Sequence, residues 1–262
     1  MDEMIAGWAQ SAHRNFHQVV EFIGAIWNEA VYDLRHPGKF RRRDMLYYLD
    51  LCGRRSLPIV LLICFLMGMI LALQAALQMR KFGTEIFVAD LVGFSLLKEL
   101  GPLMVAMIAT GRAGSAFAAE IGTMKVDEEV SALTTMGINP VRFLVIPKLV
   151  ALMIALPLLT VFGDLAGLIG GLSVGVTWLD IPMHAYWDRS MAVLSPTNLM
   201  LGLVKSWVFA VLVTFAGCWG GFRAEPDAQG VGRGATGAVV VSILLIVVGD
   251  MMLTMVYAIF GY

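Results

Sequence analysis

Five stretches of the chain are apolar for long enough to cross a membrane: residues 57–79, 86–110, 149–176, 199–221 and 237–260. The first holds 23 residues without a charge. At 1.5 Å per residue it spans a hydrocarbon layer of about 30 Å. Asp90, Lys98, Glu99 and Pro102 interrupt the second, which still counts as a span. Ahead of them, residues 1–34 show a different rhythm. Ile5, Trp8, Ala12, Phe16, Val19, Ile23, Ile26 and Ala30 recur at three- and four-residue steps, with Gln10, Arg14, Gln18 and Glu21 on other faces. That pattern predicts an amphipathic helix lying in the membrane interface, a depth that suits Trp8 and Trp27. The alternative is a helix packed on a soluble partner. His36-Pro37-Gly38 breaks it, and a basic linker with Lys39, Arg41, Arg42 and Arg43 leads to the first span. The predicted architecture is an all-α integral membrane protein: interfacial helix and basic linker over 1–44, then about five transmembrane helices over 45–262.

Composition supports lipid as the surrounding solvent. Hydrophobic residues make up 58% and charged ones 15% of the chain, against about 25% charged in soluble domains. A 262-residue core cannot hide that surplus. A net charge of −1 excludes nucleic acid as an expected partner. Cys52, Cys64 and Cys218 lack the spacing of a disulfide framework or a metal site. With Asp2, Glu3, Arg14 and Glu21 in its first thirty residues, the chain is not expected to carry a cleavable leader. The basic residues set an orientation. Eight precede the first span, from Arg14 to Arg55; Arg112, Lys125, Arg142 and Lys148 lie between the second and third; Arg223 and Arg233 lie between the fourth and fifth. Only Arg80, Lys81 and Arg189 fall on the other side. The N-terminus is therefore expected in the cytoplasm and the C-terminus outside.

The long cytoplasmic connection, 111–140, is the most informative stretch. It opens on small residues, continues as a short helix with Asp127, Glu128 and Glu129 in its first turn, and stops at Gly137 before Asn139-Pro140. The acidic residues complement the helix macrodipole, while Val130, Leu133, Thr134 and Met136 offer a partly apolar face. Such a helix can receive a push from a soluble motor. The plainer reading is a reconnecting loop, although most helix–helix connections take only 2–8 residues. The chain itself has no GxxxxGK[ST] phosphate loop: the glycine-rich Gly230-Val-Gly-Arg-Gly234 lacks the lysine and hydroxyl. Any power must come from a partner or an ion gradient.

Leu97-Lys-Glu-Leu-Gly-Pro102, Gly111-Arg-Ala-Gly-Ser115, Ala119-Glu-Ile-Gly122 and Met136-Gly-Ile-Asn-Pro140 together resemble the MlaE/YrbE permeases, the membrane subunits of MCE-associated ABC transporters. The resemblance runs from about residue 45 to the end. It implies a homodimer of permeases, a cytoplasmic ATPase carrying ATP and Mg, a periplasmic MCE ring, a STAS-domain protein, phospholipid cargo and the bacterial inner membrane. No cofactor is expected in this chain. Under this resemblance Glu120, Asp127, Glu128, Glu129, Leu133, Met136 and Gly137 form the coupling segment that docks on the ATPase.

Charges within the spans are the remaining candidates, because each costs at least about 2.5–3.5 kcal/mol at the bilayer centre unless paired or wet. They are Asp90, Lys98, Glu99, Asp164, Lys205 and Asp250. Lys98 and Glu99 are adjacent and point to different sides of a helix. Lys205 is expected to pair with one of the aspartates, either to fix helix packing or to line a lipid path. Glu99, just before Gly101-Pro102, and Glu120 are the functional choices. In the first span, Met67, Leu73 and Leu77 beside Gln74 and Gln78 are the expected lipid wall. Gly163, Gly167, Gly171 and Gly175 repeat every four residues, a helix-packing stripe. Two motifs are decoys: Gly171-Leu-Ser173-Val-Gly175 imitates a nucleophile elbow inside an apolar helix, and His13 with His17 lacks a third ligand for a metal. A stand-alone secondary transporter using the intramembrane carboxylates, or a scaffold for soluble partners, are the competing readings; the first lacks the internal repeat many such transporters have.

Overall fold

A computed structural model describes residues 2–36 and 41–261. Pro37, Gly38 and Lys39 of the expected linker, and the side chains before His17, Trp8 and His13 among them, lie outside the described residues, as does the side chain of Leu34. Every regular element is helical: α1 (Asp2–Arg35), α2 (Arg42–Leu49), α3 (Leu57–Met79), α4 (Val88–Ser95), α5 (Gly101–Ala109), α6 (Ser115–Val126), α7 (Glu129–Thr135), α8 (Ile146–Thr177), α9 (Met183–Val193), α10 (Pro196–Arg223) and α11 (Ala228–Ile259). Five helical runs are long and apolar enough to cross a membrane: Arg42–Phe82, Glu85–Val126, Val141–Thr177, Pro196–Arg223 and Ala228–Ile259. The chain is an all-α, multi-pass membrane protein.

The runs outlast the apolar stretches because π-turns join shorter helices end to end. Asp50–Arg54 links α2 to the first span, Leu96–Leu100 and Thr110–Gly114 link α4, α5 and α6, and Val141–Val145 leads into α8. A π-turn inserts one residue without breaking the helix. The one at Leu96–Leu100 falls immediately before Pro102, which lacks an N–H. Buried threonines in the spans satisfy themselves on their own helix: Thr110 donates to the Ala106 carbonyl at 2.9 Å and Thr214 to that of Ala210 at 2.8 Å.

Two sequence expectations change here. The second span's helix does not stop at residue 110; it continues to Val126, so that Glu120 belongs to the helix rather than to a loop. The small residues of 111–122 are a packing seam. Gly217 lies so close that a Cβ on it would meet the Gly114 carbonyl oxygen at 2.8 Å, and one on Gly221 would meet that of Ala118 at 2.8 Å. The true connection between spans two and three is Asp127–Pro140. Secondly, the connection after the third span carries a helix, α9, that the periodicity did not reveal. Its Tyr186 is buried against α8, where a Cβ on Gly175 would lie 2.5 Å from the Tyr186 ring. Burial pushes that phenol's pKa up.

α8 is the central span, packed against α3, α10, α2 and α5. α11 is the opposite case: Gly230, Ala238, Ser242, Ile246 and Asp250 form its one buried stripe, and Leu244, Val247, Met251 and Met255 point outward. The glycine stripe of α8 packs within the chain, on α3, the second span and α9. A Cβ on Gly68 would meet the Gly167 carbonyl oxygen at 1.9 Å, and one on Gly170 would meet that of Phe65 at 2.1 Å. Over the described side chains of α1, Val19, Ile26 and Ala30 of the expected apolar face are half-buried, with Ile26 against the core. Phe22 is buried among Phe215, Trp219 and Phe222 of α10, with ring centroids 5.3–5.7 Å away, whereas Ile23 and Trp27 are exposed.

Candidate functional site

Two fully buried lysines organise the polar interior. Lys205 of α10 donates to Glu99 at 2.6 Å, to Asp250 of α11 at 2.7 Å and to Thr254 at 2.9 Å. Thr254 Oγ1 lies 3.1 Å from the other Glu99 oxygen, and Tyr257 donates to the Leu201 carbonyl at 3.0 Å. The cluster joins three spans. Glu99 reaches it from the Leu96–Leu100 π-turn, and its side chain stays 38% exposed while Lys205 is wholly enclosed. Two carboxyl groups share one ammonium, and of the two Glu99 is the more exposed.

Lys148, at the start of α8, anchors the second cluster. It donates to the Tyr48 oxygen at 2.9 Å and to Glu120 at 3.1 Å, while Tyr48 donates to Glu120 at 2.5 Å. This closes a triangle between α2, α6 and α8. Together the two clusters fasten the second span to α10 and α11 at one level and to α2 and α8 at another.

The remaining sequence candidates are spread out. Lys98 turns away from Glu99 and lies over the Phe94 ring at 4.1 Å. Asp90 pairs with Arg189 of α9 at 2.9 Å. Asp164 is buried against Gly101, and its Oδ1 has no hydrogen-bond partner among the described residues; the aspartate that meets Lys205 is Asp250. On α3, Leu73, Gln74, Leu77 and Gln78 are exposed and Met67 is half-buried. Among the described residues no group of three His, Cys, Asp or Glu is placed to hold a metal.

At the end of the molecule where α1 lies, α7 stands between the second and third spans. Glu128 adopts a left-handed backbone, φ 59°, as the turn into α7. Gly137, φ 74°, ends the helix: its N–H bonds the Thr134 carbonyl at 3.0 Å, and the Ile138 N–H bonds that of Leu133 at 2.9 Å, the paired bonds of a Schellman cap. Leu133 is buried and holds α7 to the membrane domain, which corrects its expected place on a partner-facing surface. Asp127, Glu128, Glu129, Met136 and Ile138 are exposed. Just beyond, Asn139 donates to Glu29 at 2.7 Å, and Arg142 pairs with Asp33 at 2.6 Å while stacking on Tyr32 at 4.3 Å. The C-terminal half of α1 is thereby clamped to the segment that follows α7.

A short helix with a glycine cap stands between the second and third spans, where the sequence motifs of residues 111–140 lie. The family model for "Permease MlaE" matches residues 45–256. The chain belongs to the MlaE permease family. Within the range of this family, a probable ABC transporter permease protein of Rickettsia felis is 39% identical over 202 residues, 77% of this chain and 78% of that one. The intermembrane phospholipid transport system permease protein MlaE of Haemophilus influenzae is 36% identical over 203 residues, with the same coverage. The chloroplastic protein TRIGALACTOSYLDIACYLGLYCEROL 1 of Arabidopsis thaliana is 30% identical over 217 residues, 83% of this chain and 62% of that one.

Sequence reasoning overlooked Tyr48, Lys148 and Thr254. In the sequence Lys148 is a flanking charge, yet Pro147 beside it marks the first turn of α8, where a side chain already faces neighbouring helices. Thr254 sits one turn beyond Asp250, a spacing that signals a shared face.

Proposed function

We propose that this chain is the permease subunit of an ABC transporter that moves phospholipid between the inner and outer membranes of a bacterium. Its membership of the MlaE family carries the reading, supported by a relative named as an intermembrane phospholipid transporter. The chain works as a homodimer in the inner membrane with its N-terminus cytoplasmic and its C-terminus periplasmic. A separate ATPase binds ATP and Mg and does the hydrolysis; an MCE ring and a STAS-domain protein complete the assembly. The chain's own contribution is mechanical and amphipathic rather than catalytic.

α7 is the coupling element in this reading. The ATPase meets Asp127, Glu128, Glu129, Met136 and Ile138, which are all exposed on and around α7. Buried Leu133 and the Gly137 cap make α7 a rigid body, so displacement passes to α6 on one side and to the Val141–Val145 turn on the other. The Lys148–Glu120–Tyr48 triangle then keeps α6, α8 and α2 moving together. Glu99, half-exposed above Lys205, is the polar element offered to a passing head group.

Charge reversal tests the coupling assignment. Glu128→Lys with Glu129→Lys is expected to cut ATPase co-purification by at least about tenfold while the permease still folds, since like charges replace complementary ones at an interface. Co-purification and lipid transport both at wild-type level would refute it.

A further inference from the structure

On the outer side of the α2–α8 junction lies a groove of about 410 Å³, within the range of about 300–1,000 Å³ typical of small-molecule sites. Leu46, Leu49, Leu57, Leu158, Leu159 and Phe162 form its walls. The floor is open because Gly53 has no side chain: a Cβ there would touch only the Ala155 Cβ, at 3.7 Å. The Asp50–Arg54 π-turn brings Asp50, Gly53 and Arg54 to the same side, so the apolar slot ends in a charged rim.

The rim is positive. Arg54 and Arg55 both pair with Asp50, Arg55 at 3.2 Å, leaving two guanidiniums to one carboxylate. Both arginines remain largely exposed, with side chains 77% and 53% accessible. They stand immediately before the 23-residue uncharged helix α3, which places them at head-group depth and leaves Leu57, Leu158 and Phe162 on the acyl-chain side of the rim. An apolar slot inside a bilayer has no use for water, and a guanidinium fork matches phosphate geometry. None of the groove's residues belongs to the Glu99–Lys205–Asp250 cluster.

We infer that this groove holds one resident anionic phospholipid, with an acyl chain along Leu57, Leu158 and Phe162 between α3 and α8 and its phosphate on Arg54 and Arg55. The lipid is a fixed part of the permease, distinct from cargo. It closes the seam between the turn before α3 and α8, as the Tyr48–Lys148 contact closes that between α2 and α8.

The test uses the full chain purified with its ATPase in mild detergent. It is incubated with equal phosphatidylglycerol and phosphatidylethanolamine, washed, and weighed by native mass spectrometry. Wild type should retain one phosphatidylglycerol per chain, in clear preference to phosphatidylethanolamine. Arg54→Gln with Arg55→Gln should lower that preference about tenfold, the scale of a lost charge-assisted contact. Gly53→Leu, which fills the slot, should abolish retention of both lipids; Leu158→Trp fills it from the other wall and stands in if Gly53→Leu does not assemble. Glu99→Gln should retain the lipid, and its failure to do so would place the lipid in the transport path. The inference is overturned if wild type retains none, if the arginine variant keeps its preference, if the slot-filling variant keeps its lipid, or if Glu99→Gln alone loses it. Loss of lipid transport in Glu99→Gln with phosphatidylglycerol still bound separates this site from the proposed cargo route.

Discussion

Lys205→Met is expected to destabilise the permease by about 3–5 kcal/mol, the cost of breaking a buried ion cluster by removing one partner. Lys205 is wholly buried, and its ammonium donates to both Glu99 and Asp250. Without its ammonium, two carboxylates face one another inside a membrane span, with Thr254 as the nearest donor. The partial exposure of Glu99, 38% of its side chain, puts the loss at the lower end of that range. Thermal unfolding in detergent reads the effect directly. The triple variant Lys205→Met, Glu99→Gln, Asp250→Asn should recover most of the stability, because a neutral cluster has no uncompensated charge. If the triple variant is stable but fails to move lipid, the cluster serves transport as well as packing. An unchanged unfolding temperature in Lys205→Met would remove the cluster from any structural role.

Gly68→Ala is expected to be at least as damaging, about 3 kcal/mol or more, at the upper end of overpacking costs. A Cβ at Gly68 would lie 1.9 Å from the Gly167 carbonyl oxygen. The obstacle is backbone, so α3 and α8 must move apart along the interface that organises the fold. Gly232→Ala in α11 is the matching control: nothing lies within 4 Å of its added Cβ, and the change should be neutral or stabilise the helix by about 0.5–1 kcal/mol. Folded yield and unfolding temperature of the two variants check the contrast. Equal behaviour would mean that α3 and α8 are not in close backbone contact.

The elements that were easy to read were those with a single strong signal. The first span's helix, Leu57–Met79, has the bounds that its uncharged run marks. The short helix α7 and its stop at Gly137 were visible because a glycine exit is a local feature. Of the three acidic residues, however, only Glu129 stands in its first turn: Asp127 ends α6 and Glu128 is the left-handed turn between the two helices. What stayed hidden was long-range. Small residues at 111–122 resemble a loop in isolation, and only the proximity of Gly217 and Gly221 turns them into a helix seam. The α8 stripe was visible from its four-residue repeat, but its counterpart on α3 is one glycine, Gly68, with no period to announce it. Lys205 was known to need a carboxylate, yet the choice of Asp250 over Asp164, and the arrival of Glu99 from a π-turn, depend on how three spans are placed. Leu133 was read as a contact for a partner because a helix outside the membrane shows an apolar residue; the fold uses it inward.

Under the proposed function, this membrane domain moves phospholipid only when an external ATPase drives it. Proteoliposomes holding the full permease with its ATPase, carrying a labelled phospholipid, test that most directly. ATP should drive lipid movement, and omission of ATP, omission of the ATPase, or Glu128→Lys with Glu129→Lys should each return it to the level of protein-free vesicles. Lipid movement of the same rate with no ATPase present would contradict the account, as would ATP hydrolysis by the intact complex with no phospholipid moved.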